Sequence, residues 1–177
     1  MKNVLILSSS PRINGNSDLL CQEFCRGAIE AGHNVEIVHL NEKDINYCIG
    51  CYACHKTGTC FRKDDMTELY DKVLNANVIV FATPVYFYTM SAQLKTFIDR
   101  LTPIYEDVRA DIYLMCTAWD SDVKNLELTI ESIRGLTRDC FEECEEKGVI
   151  IVGGVSDKGD IVGREELATA YNMGKNC

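Results

Sequence analysis

The sequence has few of the residues that mark linkers or repeats. It contains only 3 prolines and 12 glycines among 177 residues, and these do not gather in a flexible tract. No internal repeat or low-complexity segment is visible. Because a chain of this length is close to the size of one domain, we expect a single domain over residues 1–177.

Long hydrophobic runs are also missing. The apolar segment VLIL at residues 4–7 leads directly into three serines. It is too short for the hydrophobic region of a signal peptide or for a membrane span. We therefore expect a cytoplasmic protein without membrane association. In that compartment, ten cysteines favour metal or redox roles over a disulfide scaffold.

Positive charge is scarce. The chain has 18 lysines and arginines against 27 aspartates and glutamates, which gives a formal net charge of −9. An acidic surface disfavours binding to nucleic acid or to anionic membranes, because both repel negative charge. It is compatible with a basic protein partner.

Short apolar runs alternate with helical patterns along the whole chain. The runs occupy residues 3–10, 34–40, 77–84, 111–117 and 148–155, and the helical patterns occupy 17–31, 65–75, 91–101, 123–138 and 164–174. Near-continuous apolar runs are typical of parallel strands covered on both faces. The alternation predicts an α/β fold, a doubly wound three-layer sandwich with a five-stranded parallel sheet in the flavodoxin-like order 2-1-3-4-5.

Two local details are predicted with this fold. Asn16 or Ser17 is expected to cap the first helix, because short polar side chains accept hydrogen bonds from free helical N–H groups. Cys140 and Cys144 are four residues apart and are expected to lie on a helix.

The first strand leads into the polar segment SSSPRINGNS, residues 8–17. It contains neither G-x-G-x-x-G nor G-x-x-x-x-G-K-[ST], so dinucleotide adenylate binding and P-loop hydrolysis are disfavoured. It does place serine hydroxyls, Arg12 and backbone amides at the start of a helix, which is a favourable arrangement for binding an anion such as phosphate. The alternative is a polar turn that only caps the helix.

The third strand leads into TPVYFYTMSAQLKTFIDR, residues 83–100. Pro84 is expected to end the strand, because proline has no N–H for strand pairing. The aromatic residues 86–88 follow at the sheet edge beside the first loop, where they favour a wall for a flat heteroaromatic ring. Alternatively, they pack under the next helix or in a subunit interface. Arg100 is expected on the surface of that helix, in an ion pair.

Four cysteines lie within an insertion at about residues 41–63, between the second strand and the second helix. Cys48, Cys51, Cys54 and Cys60 follow the spacing C-x2-C-x2-C-x5-C. The first intervals match those of cysteines that hold iron–sulfur clusters. Four thiolates also suit zinc, and C-x2-C is a redox spacing, so a cluster, zinc and free redox thiols all remain open.

Together, SSSPRINGNS and TPVYFYTMSAQLKTFID resemble the NADPH-dependent FMN reductase family of flavodoxin-like proteins. The resemblance implies FMN as cofactor and NAD(P)H as electron donor. It implies that the FMN phosphate is held by Ser10, Arg12, Asn16 and Ser17. It also implies that the flavin ring is lined by Thr83, Pro84, Val85, Tyr86 and Phe87, with a further contact near Thr117, where the sequence CTAWDSD replaces the usual glycine-rich turn.

The cysteine spacing resembles that of the iron–sulfur flavoprotein branch of this family. It implies a [4Fe–4S] cluster held by the four cysteines of the insertion, a redox protein such as ferredoxin as partner, and a homodimer or higher homo-oligomer. No residue pair is identified as an acid–base catalyst. Two other functions remain: an NAD(P)H-dependent FMN or quinone reductase without a cluster, and a flavodoxin-like electron carrier without its own substrate.

Overall fold

The computed structural model describes residues 1–177, and its elements follow the predicted alternation. The strands are β1 (Asn3–Ser8), β2 (Asn34–His39), β3 (Val78–Tyr86), β4 (Thr89–Met90), β5 (Asp111–Thr117) and β6 (Glu145–Val152). The helices are α1 (Asn16–Glu30), α2 (Cys54–Thr57), α3 (Met66–Leu74), α4 (Ala92–Asp99), α5 (Val123–Thr137) and α6 (Glu165–Lys175). None of these helices combines the length and hydrophobicity of a membrane span.

Five strands form a parallel sheet in the order β2-β1-β3-β5-β6. This order is the predicted flavodoxin-like one. The sixth strand, β4, was not predicted; it has two residues and pairs antiparallel with the end of β3. The last parallel strand begins and ends three residues earlier than predicted, at Glu145 and Val152.

The sheet is covered on both faces, as the near-continuous apolar strands indicated. One face packs against α3, α4 and α5 in a cluster of 25 buried residues, and the other packs against α1 and α6 in a cluster of 16. Along β1, Leu5 and Leu7 belong to the first cluster, whereas Val4 and Ile6 belong to the second. Successive strand residues therefore face opposite layers, which fixes the three-layer architecture.

The segment after α5 corrects one prediction. The helix ends at Thr137, so Cys140 lies in a turn and Cys144 lies just before β6, and neither is helical. The N–H groups of Cys140 and Phe141 both donate to the carbonyl of Leu136, which closes the helix end. The turn carries Phe141 into the core, where it is buried. Burial of this aromatic side chain stabilises the turn over a further helical turn.

Candidate functional site

The loops after β1 and β3 meet at the carboxyl edge of the sheet through buried hydrogen bonds. The N–H of Ser9 donates to the carbonyl of Ala82 at 3.0 Å, and the Ser9 hydroxyl lies 3.0 Å from that of Ser91. The N–H of Ser91 donates to the Thr83 hydroxyl at 2.9 Å. These bonds replace water inside the protein and hold the two predicted ligand-binding loops in contact. Thr83 is fully buried, so its hydroxyl acts within this network.

The loop of residues 8–17, called the serine loop below, ends in a helix start without a side-chain cap. Gly15 is the N-cap residue of α1, and no side chain accepts a hydrogen bond from the helical N–H groups. A Cβ at Gly15 would lie 2.9 Å from the carbonyl oxygen of Arg12 and 3.3 Å from the Ser10 hydroxyl. Only glycine fits this tight bend, and the positive end of the helix dipole is left open to an anion.

Asn16 does not cap the helix, which corrects the prediction. Its side-chain amide donates to the carbonyl of Asp157 at 2.9 Å and accepts the N–H of Ile161 at 3.3 Å. Arg12 also reaches this later segment, since its guanidinium donates to the carbonyl of Ser156 at 2.8 Å. The serine loop is therefore braced by the chain that follows β6.

Asp18, which was not predicted as a site residue, fixes the shape of the serine loop through its hydrogen bonds. Its buried carboxylate accepts hydrogen bonds from the Ser8 hydroxyl at 3.0 Å, the Asn14 N–H at 2.8 Å and the Gln22 amide at 3.0 Å. Asn14 takes a left-handed conformation with φ of 57°. Buried carboxylates require such partners, and here they stabilise an otherwise unfavourable turn.

The residues predicted to hold a phosphate lie together in this loop. Ser10, Asn16 and Ser17 are buried, and the Ser10 hydroxyl accepts the N–H of Arg12 at 3.1 Å. Arg12 itself is exposed and has no carboxylate within ion-pair distance. A guanidinium without an internal counterion, next to open helical N–H groups, is well suited to bind an anion.

The aromatic segment forms a hairpin that the sequence did not predict. Pro84 does not end β3: it pairs in parallel with Thr117, and the strand continues to Tyr86 before β4 returns. Phe87 and Tyr88 form the two-residue turn with φ of 50° and 60°. Such turns normally carry glycine or asparagine, so two aromatics in left-handed conformations store about 1–3 kcal/mol of strain each.

This strained turn projects aromatic rings into solvent at the sheet edge. Phe87 is 100% exposed and Tyr88 is 48% exposed. The Tyr88 hydroxyl lies 3.4 Å from the carboxylate of Asp120 in the loop after β5, beside Trp119, which is 80% exposed. Val85 and Tyr86 lie at the base of the hairpin, and Thr117 is buried at the end of β5. The exposed ring faces are available to stack against a planar ligand.

All four cysteines of the insertion line one cavity of about 470 Å³, called the cysteine cavity below. Apolar lining comes from Ile98, Leu101, Tyr105 and Leu136, and Asp99, Arg100, Thr102 and Cys140 complete this part of the wall. Gly50 and Gly58 have φ of 63° and 71°, which lets the backbone turn round the cavity. No three cysteine, histidine or carboxylate side chains lie close enough together to hold a metal ion.

A buried ion pair anchors both ends of the cysteine insertion to α4. Arg100 was expected at the surface, but its side chain is only 1% exposed, and it donates to the Asp64 carboxylate at 2.7 and 3.0 Å. It also donates to the carbonyl of Asn46 at 2.6 Å. Burial alone raises the pKa of Asp64, but hydrogen bonds from Arg100 and from the Asn46 N–H outweigh it and lower the pKa to about 2.

The sequence of this chain is similar to those of known flavin-dependent reductases and iron–sulfur flavoproteins. The profile of NADPH-dependent FMN reductases matches residues 2–115. An iron–sulfur flavoprotein of Archaeoglobus fulgidus is 43% identical over 103 residues, 58% of this chain and 46% of that protein. The iron–sulfur flavoprotein MJ1083 of Methanocaldococcus jannaschii is 41% identical over 101 residues, 57% and 52% of the two chains. The chain thus spans about half the length of these curated relatives.

Solved structures show the same fold at lower identity. The NAD(P)H:quinone oxidoreductase of Methanothermobacter marburgensis superposes with a TM-score of 0.74 at 23% identity, covering 99% of this chain and 95% of that one. The azoreductase AzrA gives a TM-score of 0.76 at 18% identity, covering 99% and 100% of the two chains. The family profile covers more than half of the chain and includes the serine loop. The chain belongs to the NADPH-dependent FMN reductase family.

Proposed function

We propose that this protein is an FMN-dependent oxidoreductase that also holds a [4Fe–4S] cluster and exchanges electrons with a redox partner. The observation that carries the flavin part is the serine loop, with its uncapped α1 start and its Arg12 without a carboxylate partner. The family profile and the names of the iron–sulfur flavoproteins support the same cofactors.

In this proposal the serine loop binds the FMN phosphate. Arg12 supplies the positive charge, while Ser10, Asn16, Ser17 and the open N–H groups of α1 supply hydrogen bonds. Because Asp18 and the chain after β6 already brace this loop, little conformational entropy is lost when phosphate binds. The site is therefore built before its ligand arrives.

The hairpin of β3 and β4 would form the wall of the flavin site. Pro84, Val85, Tyr86 and Phe87 would line the flavin ring when FMN is bound. Thr83 holds the hairpin against the serine loop, and Thr117 lies at the end of the adjacent strand. Bound FMN supplies hydride and single-electron chemistry, with NAD(P)H as the electron donor.

Cys48, Cys51, Cys54 and Cys60 would hold the cluster. The shared cavity, the two left-handed glycines and the donor set of four thiols fit such a group. The thiols do not form a preformed site for a single metal ion. A cluster supplies single-electron transfer when bound, which suits a protein partner such as ferredoxin. We propose a cytoplasmic homodimer or higher homo-oligomer for the assembled protein.

A cluster-free NAD(P)H-dependent FMN or quinone reductase is the second candidate. It is favoured by one observation, the absence of a preformed group of three metal ligands. An absorbance spectrum of protein purified without oxygen, with iron and acid-labile sulfide analysis, separates the candidates. We expect flavin bands together with a broad shoulder that bleaches on reduction, and four irons per chain. Flavin bands without iron would favour the second candidate, and protein that fails to take up added FMN would contradict both.

A further inference from the structure

Two arginines of this chain have no carboxylate partner, and they lie at the two predicted ligand sites. Arg26, Arg100, Arg109, Arg134, Arg138 and Arg164 all form ion pairs. Arg12 and Arg62 form none, although acidic residues outnumber basic ones by 27 to 18. Arg12 lies in the serine loop, and Arg62 lines the cysteine cavity.

Arg62 is held in place by aromatic rings instead of by an acid. Its guanidinium lies 5.7 Å from the ring centre of Phe61 and 5.8 Å from that of Tyr47. Both distances are within the range of cation–π attraction, which stabilises the side chain without neutralising its charge. The positive charge at the cavity wall is therefore left uncompensated by the protein.

Arg62 also carries a hydrogen-bond donor that no other group of the protein uses. Its Nε is buried and has no acceptor. Arg100 lines the same cavity, and its Nε is also buried without an acceptor. The charge of Arg100, however, is neutralised by the Asp64 carboxylate. A buried N–H without an acceptor destabilises the protein, and it is satisfied when a ligand or a water supplies the acceptor.

From these observations we propose that Arg62 is a positioning residue that compensates the negative charge of the group held by the four cysteines and raises its reduction potential. The inference rests on the proposed function. Thiolate-ligated clusters are anionic and gain a further negative charge on reduction, and a nearby cation with a free N–H stabilises the reduced state more than the oxidised one.

The test is an anaerobic redox titration of the full chain, loaded with FMN and cluster and followed by electron paramagnetic resonance. For Arg62→Gln we expect the equilibrium constant for one-electron reduction of the cluster to fall about tenfold, which is about 59 mV for one electron. Arg62→Lys keeps the charge but loses the Nε donor, so a smaller shift is expected. The FMN potential, measured in the same sample, serves as an internal reference.

Lys63→Gln is the matched control, since it removes the same charge one residue further along. Lys63 is exposed, forms no ion pair and does not line the cysteine cavity. The inference would be overturned if the Arg62→Gln variant, the Lys63→Gln variant and the wild type had equal cluster reduction potentials. The proposed function would not be affected by that result. A wild-type protein that takes up FMN but no iron would overturn the cluster assignment, and the inference with it.

Discussion

The serine loop and the cysteine insertion are built in opposite ways. In the serine loop, buried side chains such as Asp18 and Asn16 satisfy the backbone and tie the loop to neighbouring strands. In the insertion, Cys48 and Cys51 are exposed, and the regular structure is limited to the single turn α2. The first region is a preformed site, whereas the second is held mainly at its ends by Arg100 and Asp64. In the proposed function, the phosphate site is therefore formed by the fold itself, whereas the cysteine site depends on its occupant.

Removal of one cluster thiol gives the largest expected effect. Cys48→Ser should abolish bound iron, because four thiolates are needed and the exposed loop offers no replacement. Its thermal midpoint without cluster should match that of the wild type, since Cys48 packs against little. Iron analysis after anaerobic reconstitution checks this.

Cys140→Ser is the control, because Cys140 lines the same cavity but its thiol already donates to the carbonyl of Gly135 at 3.1 Å. This variant should keep its full iron content. Loss of iron in Cys140→Ser would make Cys140 a ligand and contradict the assignment of four.

Asp64→Asn tests whether the insertion is held at its ends. It leaves the buried Arg100 without a counterion, so we expect the free energy of unfolding at pH 7 to fall by about 3–5 kcal/mol. The wild type should also lose stability as pH falls from about 4 towards 2, because the pKa of Asp64 is lowered to about 2 in the folded state.

Urea titrations across this pH range, for wild type and variant, provide the measurement. The Asp64 carboxylate contributes to the free energy of unfolding at pH values above the pKa that it has in the unfolded chain. This contribution disappears as the pH falls and the carboxylate of the folded protein is protonated. The Asp64→Asn variant should therefore lack this part of the acid dependence. Identical pH profiles would show that the pair does not anchor the insertion.

Gly15→Val tests the preformed phosphate site. A side chain there would collide with the carbonyl of Arg12 and displace the loop, so FMN affinity should fall about a hundredfold, or about 2.7 kcal/mol. Gly135→Ala is the control, because a Cβ at that helical position meets nothing within 4 Å. It should leave FMN binding unchanged and stabilise α5 by up to about 1 kcal/mol. Fluorescence titration of apoprotein with FMN measures both.

Relief of the strained hairpin gives the smallest expected change. The double variant Phe87→Asn, Tyr88→Gly places residues that favour left-handed conformations in the turn. We expect the free energy of unfolding to rise by about 1–2 kcal/mol, while FMN binding weakens because Phe87 is lost from the ring wall. A variant that is both less stable and unchanged in FMN binding would show that the aromatics serve the fold.

Much of the fold could be predicted from the sequence, because apolar strands separated by amphipathic helices have few ways to pack. The hairpin could not, since Phe87 and Tyr88 lack the usual turn residues and their conformation is imposed by pairing of β4 with β3. The turn after α5 was also missed: helical spacing continues to Cys144, but burial of Phe141 ends the helix.

The candidate site was predicted unevenly. Arg12 and the four cysteines could be proposed from the sequence because their residue types carry the chemistry themselves, and Ser10 could be proposed from the family resemblance; these assignments stay predictions. Asp18 was missed because its partner Asn14, four residues away, binds it through a backbone N–H, which no residue type reveals. Arg100 was missed as a supporting residue because its partner Asp64 lies 36 residues away along the chain. Long-range partners of a buried charge leave no local pattern in a single sequence.

Calorimetric titration of the apoprotein with FMN and with riboflavin tests whether the serine loop binds the phosphate of FMN. Riboflavin has the same ring but no phosphate. We expect FMN to bind at least about a hundredfold more tightly than riboflavin. Arg12→Ala should remove much of this difference while leaving riboflavin binding unchanged. Equal affinity of the wild-type protein for FMN and riboflavin would contradict phosphate binding by the serine loop.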